Sequence, residues 1–156
     1  MRVFVDADSC PVRVREIICA AAIRRNFIAC FAANRPIPLP QHKNIHFIRV
    51  GRGEGKADAY IKTQVGDKDL VVTRDIPLAA ELVEQGLIVI NDRGEVYTRE
   101  NVRERLSLRN FMKELRDVGL YTSEEGEFGN REVKAFAATF DRIITKLLKD
   151  SANKIS

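Results

Sequence analysis

The fold expected for this chain is decided by its first strand and the residues that follow it, Arg2-Val3-Phe4-Val5-Asp6-Ala7-Asp8-Ser9-Cys10-Pro11. The apolar, partly β-branched run Arg2–Asp6 predicts a short buried strand that ends in acidic residues. Apolar residues then recur at helical spacing, so a helix is predicted from Pro11 to about Asn26, with Ser9 or Cys10 as its cap. A buried strand followed at once by a helix is typical of a parallel sheet with crossover helices.

The alternation of short strands and helices continues as far as residue 91. Further strands are predicted over residues 27–33, 45–50, 70–73 and 87–91, and helices over residues 56–65 and 77–85. Such alternation predicts a parallel sheet with helices on both faces, joined by right-handed crossovers. The C-terminal ends of all strands then lie at one edge of the sheet, where open α/β sheets bind their ligands.

The rest of the chain is predicted to add helices to this sheet. Residues 101–118 and 132–149 follow a helical pattern, the second with a continuous apolar stripe, and residues 121–130 are predicted to form an exposed loop. We expect a single α/β domain over residues 1–150, a three-layer sandwich with a mainly parallel sheet of about five strands, and a polar tail at residues 151–156. The last helix is expected to pack on the sheet or, alternatively, to form a homodimer with a second copy.

Composition excludes several classes of protein. With 156 residues, of which 45% are hydrophobic and 31% charged, the chain can bury the core of one domain and is not expected to be disordered. No apolar stretch approaches the roughly 18–20 residues of a membrane span, and Asp6 interrupts any signal-peptide core. Three cysteines without a CxxC pair argue against a disulfide scaffold or a zinc site, so a cytoplasmic protein is expected. The net charge of +4 permits a nucleic-acid partner without requiring one.

Four aspartates are candidates for a catalytic centre at the carboxyl edge of the sheet. Asp6 and Asp8 follow the first strand, Asp75 follows the fourth, and Asp58 lies near the start of the helix before it. If the first and fourth strands are neighbours, as at a topological switch point, these carboxylates converge on one pocket. Clustered carboxylates repel one another, and oxygen ligands without histidine or cysteine favour Mg²⁺ or Mn²⁺ as the neutralising ion. One or two such ions can activate water for phosphodiester hydrolysis.

Each of these aspartates also has a purely structural interpretation. An aspartate after a buried strand often caps a helix or forms a turn, and Asp8 is placed to cap the helix that opens at Pro11. The functional interpretation therefore depends on several acids meeting at one edge. That meeting requires a strand order that the periodicity of the sequence does not supply.

Further residues near the same edge are candidates for binding a substrate phosphate. Thr73 ends the fourth strand, and Asn34 and Arg35 end the second. Arg52 and Lys56 flank a glycine-rich loop that suits a close backbone approach to a phosphate. Each has a simpler alternative, since Thr73 is also an ordinary β-branched strand residue and the basic side chains are also typical of solvated loops.

Two other features invite functional interpretations that we do not favour. A basic helix surface is formed by Arg99, Arg103, Arg105 and Arg109. It is suited to following a nucleic-acid backbone, but Glu100 and Glu104 interleave with it, as on an ordinary solvated helix. Cys10 is a candidate nucleophile, yet a cysteine phosphatase loop needs an arginine where Glu16 stands, so we expect a partly buried structural thiol. Cys19 and Cys30 are predicted to lie in the core.

Three motifs resemble a known family. They are Val5-Asp6-Ala7-Asp8-Ser9-Cys10-Pro11, Val71-Val72-Thr73-Arg74-Asp75-Ile76-Pro77-Leu78-Ala79-Ala80 and Arg93-Gly94-Glu95-Val96-Tyr97-Thr98. With the helix that follows, they make the chain resemble the YaiI/YqxD family of uncharacterised bacterial proteins from Val3 to about Phe140. This family is grouped with PIN-like nucleases, so the resemblance implies a PIN-like sheet whose acids hold Mg²⁺ or Mn²⁺ for cleaving RNA or DNA.

The resemblance also implies roles for individual acids. Carried over by motif, Asp6, Asp8 and Asp75 are the expected metal-facing acids, and Asp58 is the expected helix-borne one. The family often has a further acid three residues before Asp58, where this chain has Gly55. The neighbouring Glu54 is a candidate substitute.

Three functions follow as hypotheses. The leading one is a metal-dependent nuclease that acts on RNA or DNA, with Asp6, Asp8 and Asp75 as its catalytic acids and no membrane partner. A haloacid-dehalogenase-like phosphatase is the rival, with Asp6 as nucleophile and Asp8 as general acid. The lysine and acidic pair that this rival needs are not evident, and Asn91-Asp92 is the nearest candidate for the pair. The third hypothesis is a non-catalytic module that binds nucleic acid or a protein.

Overall fold

The computed structural model describes residues 1–53, 55–120 and 127–153. Within these ranges the chain forms five strands and five helices. The strands are β1 (Arg2–Asp6), β2 (Ile28–Ala33), β3 (Ile45–Arg49), β4 (Leu70–Val72) and β5 (Ile88–Ile90). The helices are α1 (Val12–Arg25), α2 (Lys56–Gln64), α3 (Ile76–Glu84), α4 (Arg99–Asp117) and α5 (Asn130–Asn153).

The described strands form one parallel sheet in the order β3-β2-β1-β4-β5. The central strand β1 pairs with β2, where Asp6 lies opposite Ala32, and with β4, where Val5 lies opposite Val72. Strands β2 and β3 lie on one side of β1, and strands β4 and β5 lie on the other. The direction in which successive strands are added therefore reverses between β1 and β4. The condition on which the carboxylate pocket depended is therefore met: a topological switch point lies between β1 and β4, and the C-terminal ends of these two strands are neighbours.

Helices cover both faces of the sheet, as predicted for a three-layer α/β sandwich. On one face, Val3 and Val5 of β1 pack in a core with Phe136 and Phe140 of α5 and with residues of α1. On the other face, Phe4 packs with residues of α2, α3 and α4. Alternate residues of β1 thus point into different cores, as the pleat of a strand requires.

The predicted cap of α1 is wrong. Pro11 occupies the N-cap position with an extended backbone, and no side chain accepts a hydrogen bond there. Ser9, Cys10 and Asp8 therefore do not cap this helix. The proline ring restricts the residue before it to extended conformations, and the carboxylate of Asp8 bonds instead to the backbone N–H of Asn34.

The ends of the last two helices also differ from those predicted. Helix α4 begins at Arg99 because Thr98 and Asn101 form a reciprocal capping box. Helix α5 begins at Asn130 and extends to Asn153, into the segment predicted as a polar tail. Most of the loop predicted over residues 121–130 lies outside the described residues, and so does Glu54.

The cysteine side chains are buried or partly buried in the structure. Cys19 and Cys30 are buried as predicted, and Cys10 is partly buried. Burial raises the pKa of the Cys10 thiol to about 12, which disfavours the thiolate that a nucleophile requires. Across the described ranges, no helix is long and apolar enough to cross a membrane.

Candidate active site

Three of the predicted acids converge where β1 and β4 end. Asp6 is the last residue of β1, Asp58 lies in the first turn of α2, and Asp75 is the N-cap of α3. Together with Asp8 they line a cavity of about 420 Å³ at the carboxyl edge of the sheet. The structure therefore brings all four predicted aspartates to one pocket.

Thr73 links two of these acids. Its hydroxyl donates a hydrogen bond of 3.1 Å to Oδ2 of Asp6 and accepts one of 3.0 Å from the backbone N–H of Asp75. The side chain is buried, so its bonding partners are these protein groups. In the structure Thr73 thus orients the carboxylate of Asp6, and its expected role in binding substrate stays a prediction.

Asp75 and Asp8 are each held by backbone N–H groups. Oδ1 of Asp75 accepts a bond of 2.9 Å from the N–H of Leu78, which is a normal N-cap interaction. The oxygens of Asp8 accept bonds of 2.9 and 3.2 Å from the N–H of Asn34, at the end of β2. The structural interpretation is thus correct in part for Asp75, which caps α3, while Asp8 fixes the end of β2.

The pocket disfavours negative charge. Burial raises the pKa of Asp6, and the nearby charges of Asp75 and Asp8 raise it further, against a lowering by the bond from Thr73. The pKa of Asp58 is raised to about 7 by burial, by a hydrogen bond with the Asp75 carboxyl and by the charges of Asp75 and Asp6. With a pKa near 7, Asp58 is partly protonated at neutral pH in the absence of a cation.

The pocket residues fit a divalent cation in the chemistry of their donor atoms but not in their spacing. The donors are carboxylate oxygens without nitrogen or sulfur, which is the chemistry that Mg²⁺ and Mn²⁺ prefer. However, no three His, Cys, Asp or Glu side chains among the described residues are already spaced to hold a metal ion. The donor chemistry therefore fits, but side chains must move inward to form a coordination shell.

The glycine-rich loop forms the wall of the pocket on the β2–β3 side. Gly51, Gly53 and Gly55 line the cavity, and Gly55 has a φ of 77°, which favours glycine at the start of α2. Lys56 and Asn34 also line it. Arg52 is exposed beside this wall, and Arg35 directs a guanidinium N–H to the carbonyl of Asp8 at 3.5 Å.

An ion pair on the β5 side was not anticipated from the sequence. Nε of Arg74 donates to Oδ2 of Asp92 at 2.5 Å, and the Asp92 side chain is buried. Asp92, the nearest candidate for an acidic group of the phosphatase hypothesis, is thus held by Arg74. A basic residue next to Asp75 was the available signal, but its partner lies 18 residues away in the chain.

The predicted basic helix surface is largely engaged with the protein itself. Arg99 donates to the backbone carbonyl of Glu84, and Arg103 pairs with the Glu84 carboxylate. Arg105 pairs with the carboxylate of Glu95. Only Arg109 of the four predicted arginines makes no hydrogen bond or ion pair within the described residues.

Fold and site together define an α/β protein with an acidic pocket at its topological switch point. A family model described as an uncharacterized YaiI/YqxD family matches residues 4–146. The chain therefore belongs to the YaiI/YqxD family, as its motifs predicted. The PIN-like grouping of that family is not tested by this match and stays a prediction.

Three curated relatives match nearly the whole chain, and each of them is named UPF0178 protein. The relative from Treponema pallidum is 48% identical over 149 residues, which cover 96% of this chain and 84% of the relative. The one from Syntrophobacter fumaroxidans is 44% identical, covering 98% and 100%, and the one from Psychromonas ingrahamii is 42% identical, covering 96% and 99%. No solved structure matches the chain.

Proposed function

We propose that this protein is a divalent-metal-dependent phosphodiester hydrolase that cleaves nucleic acid, with RNA as the expected substrate. One observation carries the proposal: Asp6, Asp58 and Asp75 come from three different elements and meet in a pocket that raises the pKa of two of them. Strongly perturbed carboxyls in a cleft are more common at functional sites than elsewhere.

The proposal gives each acid a role. Asp6, Asp58 and Asp75 would hold Mg²⁺ or Mn²⁺, and Asp8 would complete the acidic wall from its position against Asn34. When bound, the ion supplies neutralisation of the carboxylates, activation of water and stabilisation of the leaving oxygen. Thr73 orients the Asp6 carboxylate, since its hydroxyl donates to that group.

The proposal also gives a role to the basic residues beside the pocket. Lys56 lies on its wall, and Arg52 and Arg35 are exposed near it, so all three are suited to bind phosphate oxygens of the substrate. Asn34 holds Asp8 through its backbone, which leaves its side-chain amide as a further donor at the wall.

The first test is a calorimetric titration of Mn²⁺ into the wild type and into Asp6→Asn and Asp75→Asn. Each variant is expected to bind Mn²⁺ at least tenfold more weakly, a loss of roughly 1.4 kcal/mol or more. Asparagine keeps a hydrogen-bond acceptor for Thr73 or for the N-cap of α3, so the fold is expected to persist. Mn²⁺-dependent cleavage of a labelled RNA is measured with the same proteins.

The matched control is Asp67→Asn, which removes a carboxylate from an exposed position before β4. It is expected to bind Mn²⁺ like the wild type. Unchanged affinity in both site variants would contradict the proposed metal site. Mn²⁺ binding without cleavage of RNA or DNA would instead favour the non-catalytic module.

A further inference from the structure

Helix α4 runs back along α3 toward the carboxyl edge of the sheet. Arg99 and Arg103, near the start of α4, contact Glu84 at the end of α3. Arg105 pairs with Glu95, which follows β5 at the carboxyl edge. Because α3 begins at that edge and α4 ends toward it, the two packed helices are antiparallel.

The C-terminal half of α4 extends past the start of α3. Helix α3 rises about 12 Å from Ile76 to Glu84, at 1.5 Å per residue. A length of about 12 Å along α4 from Arg103, which is level with the end of α3, reaches about Phe111. Because α4 runs antiparallel to α3, the residues after Phe111 extend beyond Asp75, the N-cap of α3. Phe111 is 54% exposed and Val118 is 68% exposed, as expected for a segment that leaves the body of the protein.

This projecting segment carries three basic side chains on one face. Arg109, Lys113 and Arg116 are all exposed, and spacings of four and three residues place them on the same side of the helix. The side chains of these three residues form no hydrogen bond or ion pair with any part of the chain that the structure describes. We call these three residues the α4 basic stripe. Like charges four residues apart destabilise a helix slightly, so a bound anion would relieve their repulsion.

We propose that the α4 basic stripe binds the phosphodiester backbone of a single-stranded polynucleotide whose scissile phosphate lies in the acidic pocket. This inference rests on the proposed function. Helix α4 packs on α3, which connects β4 and β5, so the stripe is placed on the β4–β5 side of the pocket, whereas Arg35, Arg52 and Lys56 follow β2 and β3 on the other side. A substrate that touches both groups must be longer than a mononucleotide. A cavity of about 420 Å³ has room for a short part of one strand, which favours a single-stranded substrate.

Helix α5 provides a matched control for the charge. Arg142, Lys146 and Lys149 are exposed and have the same spacings of four and three residues. However, α5 runs away from the carboxyl edge: Thr139 bonds to the carbonyl of Gly94 at that edge, whereas Thr145 contacts Arg25 at the far end of α1. The two stripes therefore have similar charge and lie at opposite ends of the molecule.

The test measures binding of fluorescein-labelled oligo(U) and oligo(dT), each of about 15 nucleotides, by fluorescence anisotropy in EDTA from about 50 to 200 mM salt. The α4 variant carries Arg109→Gln, Lys113→Gln and Arg116→Gln, and the control carries Arg142→Gln, Lys146→Gln and Lys149→Gln. The α4 variant is expected to bind at least about tenfold more weakly. Its salt slope is expected to fall by about 2, since each phosphate contact contributes about 0.7 for single strands.

The outcomes separate the inference from the proposed function. Equal losses in the two variants, or no binding of either oligonucleotide by the wild type, would overturn the inference. A loss confined to the α4 variant supports it, and the more tightly bound oligonucleotide identifies RNA or DNA as the source of the backbone. Hydrolysis of bis(p-nitrophenyl) phosphate by the wild type with Mn²⁺ is followed separately, because its absence would contradict the proposed function and leave the binding result intact.

Discussion

Asp58 lies in surroundings that penalise its ionised form. Its pKa is raised from the ordinary value of 3.8 to about 7 by burial, by its hydrogen bond with Asp75 and by the charges of Asp75 and Asp6. Lys62 is the charged neighbour that lowers it. A carboxyl with a raised pKa stabilises the folded state while it is protonated in both states, and this contribution is lost as the pH rises through the folded-state pKa.

We therefore predict that Asp58→Asn stabilises the metal-free protein more at pH 8 than at pH 4. At pH 4, close to the unfolded-state value of 3.8, wild-type Asp58 is protonated in the folded chain and its ionisation in the unfolded chain costs little stability. Above about 7, the folded wild type must hold an extra negative charge in the acidic pocket, and asparagine removes it. Urea unfolding in EDTA at several pH values measures the difference. A difference that does not change between pH 4 and pH 8 would contradict the prediction, and Asp67→Asn is the control.

At the scale of elements, helix termini were the least predictable features. Helix α4 begins two residues before the predicted start because Thr98 accepts a 3.0 Å bond from the N–H of Asn101, and the Asn101 side chain accepts a 2.8 Å bond from the N–H of Thr98. The Asn101 amide also donates to the carbonyl of Val96. Such reciprocal bonds depend on side-chain geometry, which periodicity in the sequence does not encode.

We predict that Thr98→Ala lowers the free energy of unfolding by about 1 kcal/mol, the usual loss for an N-cap residue. Alanine cannot accept the hydrogen bond from the backbone N–H of Asn101. Without that bond, the reciprocal hydrogen bond from the N–H of residue 98 to the Asn101 side chain is less well oriented. Thr98→Ser, which keeps the hydroxyl, is expected to retain nearly all of the stability. Urea unfolding measures both variants, and a serine variant as unstable as the alanine variant would contradict a role for the hydroxyl.

At the scale of the whole molecule, Gly94 lies where the turn after β5 meets helix α5. It follows β5 with a φ of 80°, and a Cβ built on it lies 2.3 Å from the backbone oxygen of Ala135 in α5. Thr139 of α5 donates a 2.7 Å bond to the Gly94 carbonyl. Helix α5 can thus pack against the turn after β5 only because this residue has no side chain.

We predict that Gly94→Ala lowers the free energy of unfolding by about 2–5 kcal/mol, through backbone strain and steric overlap. Gly86→Ala is the matched control, since Gly86 has a φ of 81° but no atom within 4 Å of a built Cβ. It is expected to lose only the strain component, about 1–2 kcal/mol. Equal losses in the two variants would show that the close approach of α5 is not important for stability.

The sequence predicted which residues line the candidate site, but not the hydrogen bonds between them. Asp6, Asp8 and Asp75 could be selected because parallel strands bring their C-terminal ends to one edge, and Asp58 because it lies near the start of the helix before β4. That Thr73 bonds to Asp6, or that Asp8 bonds to the backbone of Asn34, depends on pairing between strands that are far apart in the chain. The same reason explains why the α4 basic stripe was missed: which arginines of α4 are already paired is decided by α3 and by the turn after β5.

By itself, the sequence determined the strand and helix alternation, the parallel sheet, the family and the aspartates at the carboxyl edge. Local periodicity and motif spacing suffice for these, because they report which residues are buried and in what order elements follow. The tertiary structure decided that β1 and β4 are neighbours, that Asp58 lies close enough to Asp75 and Asp6 for their charges to raise its pKa, and that α4 packs on α3. These features arise from contacts between distant segments, whose energies depend on the packed fold as a whole.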